Sequence, residues 1–179
     1  MKISISGGVG TGKTTAALEV KKLLCKKGKK AEIIIPTFKD LAKEKGIDLM
    51  EFQRIAEKDP SIDRLFDEKT ISMAEKAKDA IIASWLAIWM IGNSDLKVYL
   101  YGPLKTRAER IAKRDNIGVD DAKRHIVERE EGNRKRYMSL YGIDIQDYTA
   151  ADVCINTSRY GAEEVAELIA YALEERKGL

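Results

Sequence analysis

A glycine-rich octapeptide near the amino end carries the clearest chemical signal in this sequence. It matches the pattern G-x-x-x-x-G-K-[ST] at every fixed position. Its residues are Gly7, Gly8, Val9, Gly10, Thr11, Gly12, Lys13 and Thr14. Glycines let the backbone curl so that its N–H groups point at an anion, and the helix that follows presents its positive end to the same anion. The octapeptide therefore predicts a loop that binds the β- and γ-phosphates of a nucleoside triphosphate.

Three side chains at the end of this motif have distinct expected roles. The Lys13 ammonium can reach the β/γ oxygens, the Thr14 hydroxyl can ligate Mg²⁺, and Thr15 is expected to contact the α-phosphate. A chance glycine-rich turn would not also have a predicted strand before it and a predicted helix after it. ATP and Mg²⁺ are therefore the expected cofactors.

A triphosphate site alone does not name the reaction, because ATPases, GTPase switches and small-molecule kinases share it. The sequence has no guanine signature of the N-K-x-D type, which argues against a GTPase. The short chain, a helical insertion at 37–78 and an arginine-rich segment late in the chain favour a kinase. Such an enzyme needs a part that binds the acceptor and a lid that excludes water.

Arginine recurs in the second half of the chain. The residues are Arg107, Arg110, Arg114, Arg124, Arg129, Arg134 and Arg136. Phosphoryl transfer needs cations around the equatorial oxygens, and the planar guanidinium suits that task. Arg129 and Arg136 are seven residues apart and share a helix face, as do Arg110 and Arg114, which are four apart. A surface helix with ion pairs to its own glutamates at 128–131 fits the spacing equally well.

Strands alternate with helices along the chain. The predicted strands are 2–6, 31–35, 80–83, 96–101 and 152–156. The predicted helices are 13–27, 104–114, 119–141 and 161–176, with a string of short helices over 37–78. This alternation predicts an α/β fold, a five-stranded parallel sheet flanked by helices, with right-handed crossovers. The ligand of such a sheet sits at the carboxyl ends of the strands, where the octapeptide falls.

We expect one domain of 179 residues. Its core would comprise 1–36, 79–114 and 150–179. The helical insertion 37–78 would bind the acceptor, and 115–140 would form the lid. An apolar face on the last helix, with Val165, Leu168, Ile169, Ala172 and Leu173, would pack on this core.

Composition limits the partners and the compartment. The formal charge of +3 is too small to argue for nucleic-acid binding. The longest apolar run, 80–92, is shorter than the roughly 20 residues that span a bilayer, and Met1-Lys2 leads directly into a strand, which leaves no room for a signal peptide. Cys25 and Cys154 lack paired spacing and are expected to be reduced core residues. We therefore expect a cytoplasmic monomer whose partners are small-molecule nucleotides, with no membrane attachment.

The stretch 95–157 resembles the archaeal-type cytidylate kinases, which are nucleoside monophosphate kinases with the P-loop NTPase fold. The segments that carry the resemblance are Asp95-Leu96-Lys97-Val98, Arg107-Ala108-Glu109-Arg110-Ile111-Ala112-Lys113-Arg114, Glu128-Arg129-Glu130-Glu131, Arg134-Lys135-Arg136-Tyr137, Tyr141-Gly142-Ile143-Asp144-Ile145 and Ile155-Asn156-Thr157-Ser158. Leu41-Ala42-Lys43-Glu44 and Asp59-Pro60-Ser61-Ile62-Asp63 also fit, so the resemblance extends over nearly the whole chain.

The resemblance implies an activity and roles for residues. The activity is ATP-dependent phosphorylation of CMP or dCMP to the diphosphate, with Mg²⁺. Arg129 and Arg136 fall on lid arginines that contact the phosphates of both substrates, and with Lys13 they form the implied catalytic set. The implied ATP side includes Arg110, Arg114, Asn156 and Thr157.

The acceptor side departs from the family pattern. Lys39 stands where an acceptor-phosphate arginine is usual, Trp85 stands where a second arginine is usual, and Asn133 replaces a lid carboxylate. Lysine keeps the charge of arginine but loses its bidentate fork. Trp85 either packs in the core with Trp89 or lines an altered acceptor pocket that suits a flat ring. Lys39, Trp85, Asn133 and Arg136 are the predicted acceptor residues.

These departures leave two alternatives open. One is a P-loop kinase for a different small acceptor. The other is a catalytically inactive, nucleotide-binding regulatory or scaffold protein.

Overall fold

A computed structural model describes residues 1–48, 51–52, 55 and 59–177, with Phe38, Lys39 and Lys177 described by backbone alone. Five parallel strands form one sheet in the order β2-β3-β1-β4-β5. The strands are β1 Lys2–Gly7, β2 Glu32–Ile34, β3 Ala80–Ala83, β4 Leu96–Tyr101 and β5 Val153–Asn156. The predicted α/β fold with a five-stranded parallel sheet is confirmed.

Helices cover both faces of this sheet. They are α1 Lys13–Lys26, α2 Phe38–Glu44, α3 Pro60–Lys76, α4 Ala87–Met90, α5 Leu104–Asp115, α6 Val119–Tyr141 and α7 Ala162–Lys177. The elements predicted at 80–83, 96–101 and 119–141 are observed with the same bounds. Among the helices that the structure describes, none has the length and apolar character of a bilayer-crossing segment.

The side chains of the central strand β1 show how the two faces of the sheet differ. Ile3 and Ile5 are completely buried and point into a core shared with α1 and α7. The alternate residues Ser4 and Ser6 point to the other face. There the Ser6 hydroxyl accepts a hydrogen bond of 3.2 Å from the Ile88 N–H at the start of α4. Small polar side chains on that face let α4 approach the strand closely.

The helical insertion differs from its prediction in one respect. Instead of a string of short helices, α3 runs for 17 residues from Pro60 to Lys76. The Asp59-Pro60 pair falls inside the predicted string of short helices, and in the structure it begins this long helix. The Asp59 side chain accepts a hydrogen bond of 2.9 Å from the Ser61 N–H, and Pro60 occupies the first helical position.

Two predictions about burial were wrong. Cys25 and Cys154 are exposed free cysteines and not core residues. Cys154 lies on β5, which is an edge strand of the sheet. Leu168, which was expected on the apolar face of α7, is 38% exposed, whereas Ile169 is completely buried.

Leu168 and Ile169 provide a matched test of how α7 packs against the core. Replacing Ile169 with alanine leaves a cavity beneath the sheet and should lower the free energy of unfolding by about 2–4 kcal/mol. Replacing Leu168 with alanine should cost less than about 1 kcal/mol because that side chain is partly in water. Urea denaturation of both variants measures the difference. Equal losses would mean that α7 packs through a different face.

Candidate active site

The glycine-rich octapeptide forms the turn between β1 and α1, at the carboxyl end of the central strand. Gly12 precedes α1 with a φ of 89°, a left-handed conformation that favours glycine. Because Gly12 has no side chain, the first-turn amides of α1 have no capping group from that position. Thr11 is buried, and its hydroxyl donates a hydrogen bond of 2.9 Å to the Gly8 carbonyl, which closes the loop. The loop thus offers a helix N-terminus to an anion.

Lys13 folds back over this loop. Its ammonium donates hydrogen bonds to the carbonyls of Gly7, at 2.7 Å, and Gly8, at 2.9 Å. The same nitrogen lies 5.0 Å from the centroid of the Trp85 ring, within the range of a cation–π contact. Burial and, to a smaller extent, the positive charges of Arg129 and Arg107 lower the pKa of Lys13 to about 7, although the Glu130 carboxylate opposes this change. An incoming phosphate would place a negative charge next to this ammonium and would stabilise its charged form.

Thr14 and Thr15 are exposed on the first turn of α1. This placement fits the predicted roles of Thr14 at Mg²⁺ and of Thr15 at a phosphate, because both hydroxyls are accessible beside the loop. Within the described part of the chain, no three His, Cys, Asp or Glu side chains converge as a metal site.

Arg110, Asn156 and Thr157 are brought together beside the loop. The Arg110 guanidinium donates to the Thr157 hydroxyl at 3.0 Å and to the Gly10 carbonyl at 3.4 Å. Asn156 Oδ1 accepts from the backbone N–H and the hydroxyl of Ser158, at 3.0 and 2.7 Å, which shapes the turn after β5. These contacts place the end of β5 next to the phosphate loop, where the donor's base was expected.

Arg114 lies away from this group. Its guanidinium makes two hydrogen bonds, of 2.6 and 2.8 Å, to the neighbouring Asp115 carboxylate, and its side chain is 66% exposed. Although Arg114 and Arg110 are four residues apart on α5, only Arg110 makes a hydrogen bond to the loop.

Two arginines of helix α6 lie near different parts of the structure, the phosphate loop and helix α3. Arg129 is exposed on the helix, and its charge is close enough to Lys13 to lower the pKa of that ammonium. Arg136 donates a hydrogen bond of 2.8 Å to Asn133 Oδ1, and its guanidinium lies 5.2 Å from the Tyr137 ring centroid. Its Nε is 3.3 Å from a carboxylate oxygen of Asp63 on α3. Arg129 therefore lies near the loop, and Arg136 contacts the helical insertion.

Two carboxylates of α3 are buried beside Arg136. Asp63 and Asp67 are 2% and 8% exposed. The Tyr141 hydroxyl donates a hydrogen bond of 2.8 Å to Asp67. Burial raises the pKa of Asp67 to about 6, the hydrogen bond from Tyr141 opposes this rise, and Asp63 adds to it. Sequence patterns gave no basis for assigning either aspartate, because their burial depends on how α3 packs against α6.

A cavity of about 110 Å³ adjoins the loop on the face opposite α1 and α7. It is lined by Gly8, Thr11, Trp85, Tyr99, Leu100, Tyr101, Gly102, Arg107, Glu130, Ile145 and Gln146. Trp85 is half-buried and forms part of this wall, whereas Trp89 packs edge-on against Tyr99, with ring centroids 6.2 Å apart. Both tryptophans pack against the buried cluster of Leu86, Tyr137 and Ile145, and the acceptor role of Trp85 stays a prediction. The Lys39 side chain lies outside the described residues.

Arg107 and Glu130 are functional candidates that the sequence did not single out. Arg107 lay in the arginine series, and Glu130 fitted an ion pair within its own helix. In the structure they pair with each other across 23 residues of chain. Glu130 also accepts a hydrogen bond of 3.0 Å from the Val9 N–H of the loop. A local pattern cannot reveal such a contact, because it depends on how α5 and α6 fold against each other.

The sheet order and the glycine-rich loop define the P-loop kinase fold. Solved kinase structures share this fold. Shikimate kinase from Acinetobacter baumannii, in complex with shikimate, superposes with a TM-score of 0.64 at 16% identity, covering 98% of this chain and 94% of that one. Deoxyadenosine kinase from M. mycoides, with bound dATP, gives 0.58 at 18% identity, covering 97% and 100%.

Sequence comparisons are more specific. A model of the cytidylate kinase-like family matches residues 2–159. The cytidylate kinase of Pyrococcus horikoshii is 43% identical over 172 residues, which cover 96% of this chain and 88% of that enzyme. The cytidylate kinase of Archaeoglobus fulgidus is 39% identical over 177 residues, covering 99% and 97%. The chain belongs to the cytidylate kinase-like family and is a nucleotide kinase.

The lowered pKa of Lys13 predicts proton uptake when nucleotide binds. In the free protein at about pH 8, most Lys13 side chains are neutral, because the pKa is about 7. Bound phosphates raise this pKa, so that the ammonium forms on binding. Calorimetry of Mg-ATP binding in two buffers of different ionisation enthalpy should show net uptake at about pH 8, and much less at about pH 6. Lys13→Arg, which stays charged, is the control. Equal heats in both buffers at about pH 8 would contradict the prediction.

Proposed function

We propose that this kinase transfers the γ-phosphoryl group of ATP to a pyrimidine nucleoside monophosphate, CMP or dCMP, to give the diphosphate. The observation that carries the proposal is the position of the phosphate loop beside a cavity walled by aromatic rings. Helix α6 places Arg129 near the loop and Arg136 beside the helical insertion. Membership of the cytidylate kinase-like family over 2–159 supports the same activity.

The donor side rests on backbone amides and three side chains. The loop and Lys13 bind the β- and γ-phosphates, and Thr15 contacts the α-phosphate. Mg-ATP supplies the phosphoryl group, with Thr14 as a protein ligand of the metal. Arg110, which already binds Thr157 and the loop, holds the phosphates or the base on that side. Arg114 takes part only if it leaves its ion pair with Asp115.

The transfer step asks little covalent chemistry of the protein. Arg129 and Arg136 neutralise charge as the phosphoryl group moves in line between donor and acceptor. Arg129 already lies near Lys13. Arg136 is held by Asn133 and the buried Asp63, which fixes its direction before substrate arrives. A monophosphate acceptor is already anionic, so it needs no general base.

The acceptor side combines charge with a flat apolar surface. Lys39 supplies a point charge for the acceptor phosphate, and Arg136 and Asn133 face the same helical insertion. The Trp85 ring forms a wall of the cavity of about 110 Å³ beside the loop. A pyrimidine ring stacks well on such a face.

The replacement of an expected arginine by Trp85 favours a second candidate, a kinase for another small acceptor. Trp85 offers no charge to a phosphate, and its ring already faces the Lys13 ammonium. In this second hypothesis the cavity accepts a ring compound that carries a hydroxyl group instead of a phosphate. A third hypothesis is a nucleotide-binding protein without transfer activity.

An acceptor panel separates these readings. The protein is incubated with Mg-ATP and CMP, dCMP, UMP, AMP or non-nucleotide alcohols, and ADP formation is followed. We expect turnover with CMP or dCMP. Turnover with a non-nucleotide alone would support a kinase for a different small acceptor. ATP binding without turnover across the panel would support a nucleotide-binding protein without transfer activity.

Lys13→Ala should lower turnover at least about 100-fold with an unchanged melting temperature. Lys22→Ala, an exposed lysine on the same helix, should leave turnover intact; full activity of Lys13→Ala would contradict the loop assignment.

A tryptophan pair tests the acceptor cavity. Trp85→Leu removes the flat face but keeps an apolar side chain, and it should raise the KM of the acceptor by about 5- to 100-fold, the loss expected for one stacked base. Trp89→Leu is the matched control, since Trp89 packs against Tyr99 and does not line the cavity. Steady-state kinetics at saturating ATP measure both. Unchanged acceptor KM in Trp85→Leu, or an equal rise in Trp89→Leu, would contradict stacking on Trp85.

A further inference from the structure

We propose that Arg107 is a further phosphate-binding residue of this kinase, and that Glu130 occupies its guanidinium and the rim of the phosphate loop until ATP displaces the carboxylate. The inference rests on the proposed binding of ATP at the loop. It concerns two residues that neither the motif nor the arginine spacing had assigned.

The Glu130 carboxylate lies directly on the loop. One oxygen accepts a hydrogen bond of 3.0 Å from the Val9 N–H. A methyl group added at Gly8 would lie 2.2 Å from that same oxygen, so only glycine leaves room for the carboxylate. The loop therefore already binds an anionic group, and that group comes from α6.

Arg107 is fixed between the loop and this carboxylate. Its Nε donates to the Gly102 carbonyl and its Nη1 to the Val9 carbonyl, both at 3.0 Å. Nη1 and Nη2 also donate to the two oxygens of Glu130, the second at 3.3 Å. The Arg107 side chain is only 12% exposed. A guanidinium so far from water requires an anionic partner. When Glu130 leaves, a phosphate is the group that can take its place.

The position of Lys13 indicates which phosphate this is. In loops of this kind the lysine reaches the β- and γ-oxygens. Here its ammonium lies against the Gly7 and Gly8 carbonyls, next to the Val9 amide that binds Glu130. The helix N-terminus, where the other amides lie, is further along the loop. Glu130 therefore stands on the γ side, and it competes with ATP more strongly than with ADP.

A purely structural ion pair predicts something different. If the pair of Arg107 and Glu130 served only to attach α6 to the core, its loss would loosen the lid. ATP and ADP would then both bind more weakly and by a similar factor. The ratio of the two affinities therefore separates competition from attachment.

Two substitutions at one position, with a neighbouring control, test the competition. Glu130→Gln removes the charge, and Glu130→Asp keeps the charge but shortens the side chain so that it no longer reaches the Val9 amide. Glu131→Gln removes the same charge from the adjacent exposed position. Arg107→Gln is made both alone and in the Glu130→Gln background. Calorimetry with Mg-ATP and Mg-ADP is carried out on the natural protein and all five variants, with thermal melting to verify folding. Glu130→Asp is conservative enough to serve should Glu130→Gln fail to fold.

We expect Glu130→Gln to bind ATP roughly 3- to 30-fold more tightly, the effect of one competing charge-assisted contact. ADP affinity should rise less. Glu130→Asp should shift affinity in the same direction, and Glu131→Gln should match the natural protein. Arg107→Gln should weaken ATP binding more in the Glu130→Gln background than alone, because there the guanidinium is already free for phosphate.

Several results would overturn the inference. They are unchanged or weakened ATP binding in both Glu130 variants, an equal gain in Glu131→Gln, or no loss with Arg107→Gln in either background. A gain in Glu130→Gln with none in Glu130→Asp would reduce Glu130 to a general charge effect and overturn displacement from the Val9 amide. No ATP binding to any of the proteins would overturn the proposed function itself.

Discussion

Positive charge held out of water at the end of β1 is the constraint on which this site depends. A helix N-terminus, the Lys13 ammonium and the Arg107 guanidinium of α5 meet around this loop, and burial already disfavours the charged form of Lys13. Such a cluster is unstable without an anion. In the structure it is satisfied by the loop's own carbonyls and by Glu130. The same cluster accounts for the proposed binding of polyphosphate by the loop, because a polyphosphate also supplies negative charge to these buried groups and carries more of it.

Helix α6 connects this cluster to the helical insertion. Arg129 and Glu130 act at the loop, and one to two turns later Asn133 and Arg136 act at α3. Asp63 is almost fully buried, and its closest cation is Arg136. Because the helix is continuous from Val119 to Tyr141, a displacement at one end moves the other. If ATP displaces Glu130 as proposed, we expect a movement of α6 to reach Arg136 as well. Such a movement would be a physical route by which donor binding alters the proposed acceptor site.

The sequence predicted those features whose signal is local. The octapeptide fixes a turn between a strand and a helix, and the alternation of elements fixes a parallel sheet, so both followed from residues adjacent in the chain. Glu130 did not, because its partners Arg107 and Val9 are distant in sequence, and a local ion pair fitted the same letters. Asp59-Pro60 fitted both a break and a helix start, and only the packing of α3 decides. Cys154 looked like a core residue because strand patterns do not reveal which strand lies at the edge.

The acceptor side shows how one substitution can redistribute recognition without removing it. Where relatives were expected to carry an arginine, Trp85 places its ring against Lys13 and along the cavity wall. The ring contributes no charge to an acceptor phosphate, but it stabilises the ammonium that holds the donor phosphates and offers a flat surface to a base. In the proposed function, recognition of the acceptor's negative charge then falls to Lys39, Arg129 and Arg136. Because the two arginines belong to the helix that carries Glu130, this recognition would depend on the position of α6 more than it would with an arginine fixed at the end of β3.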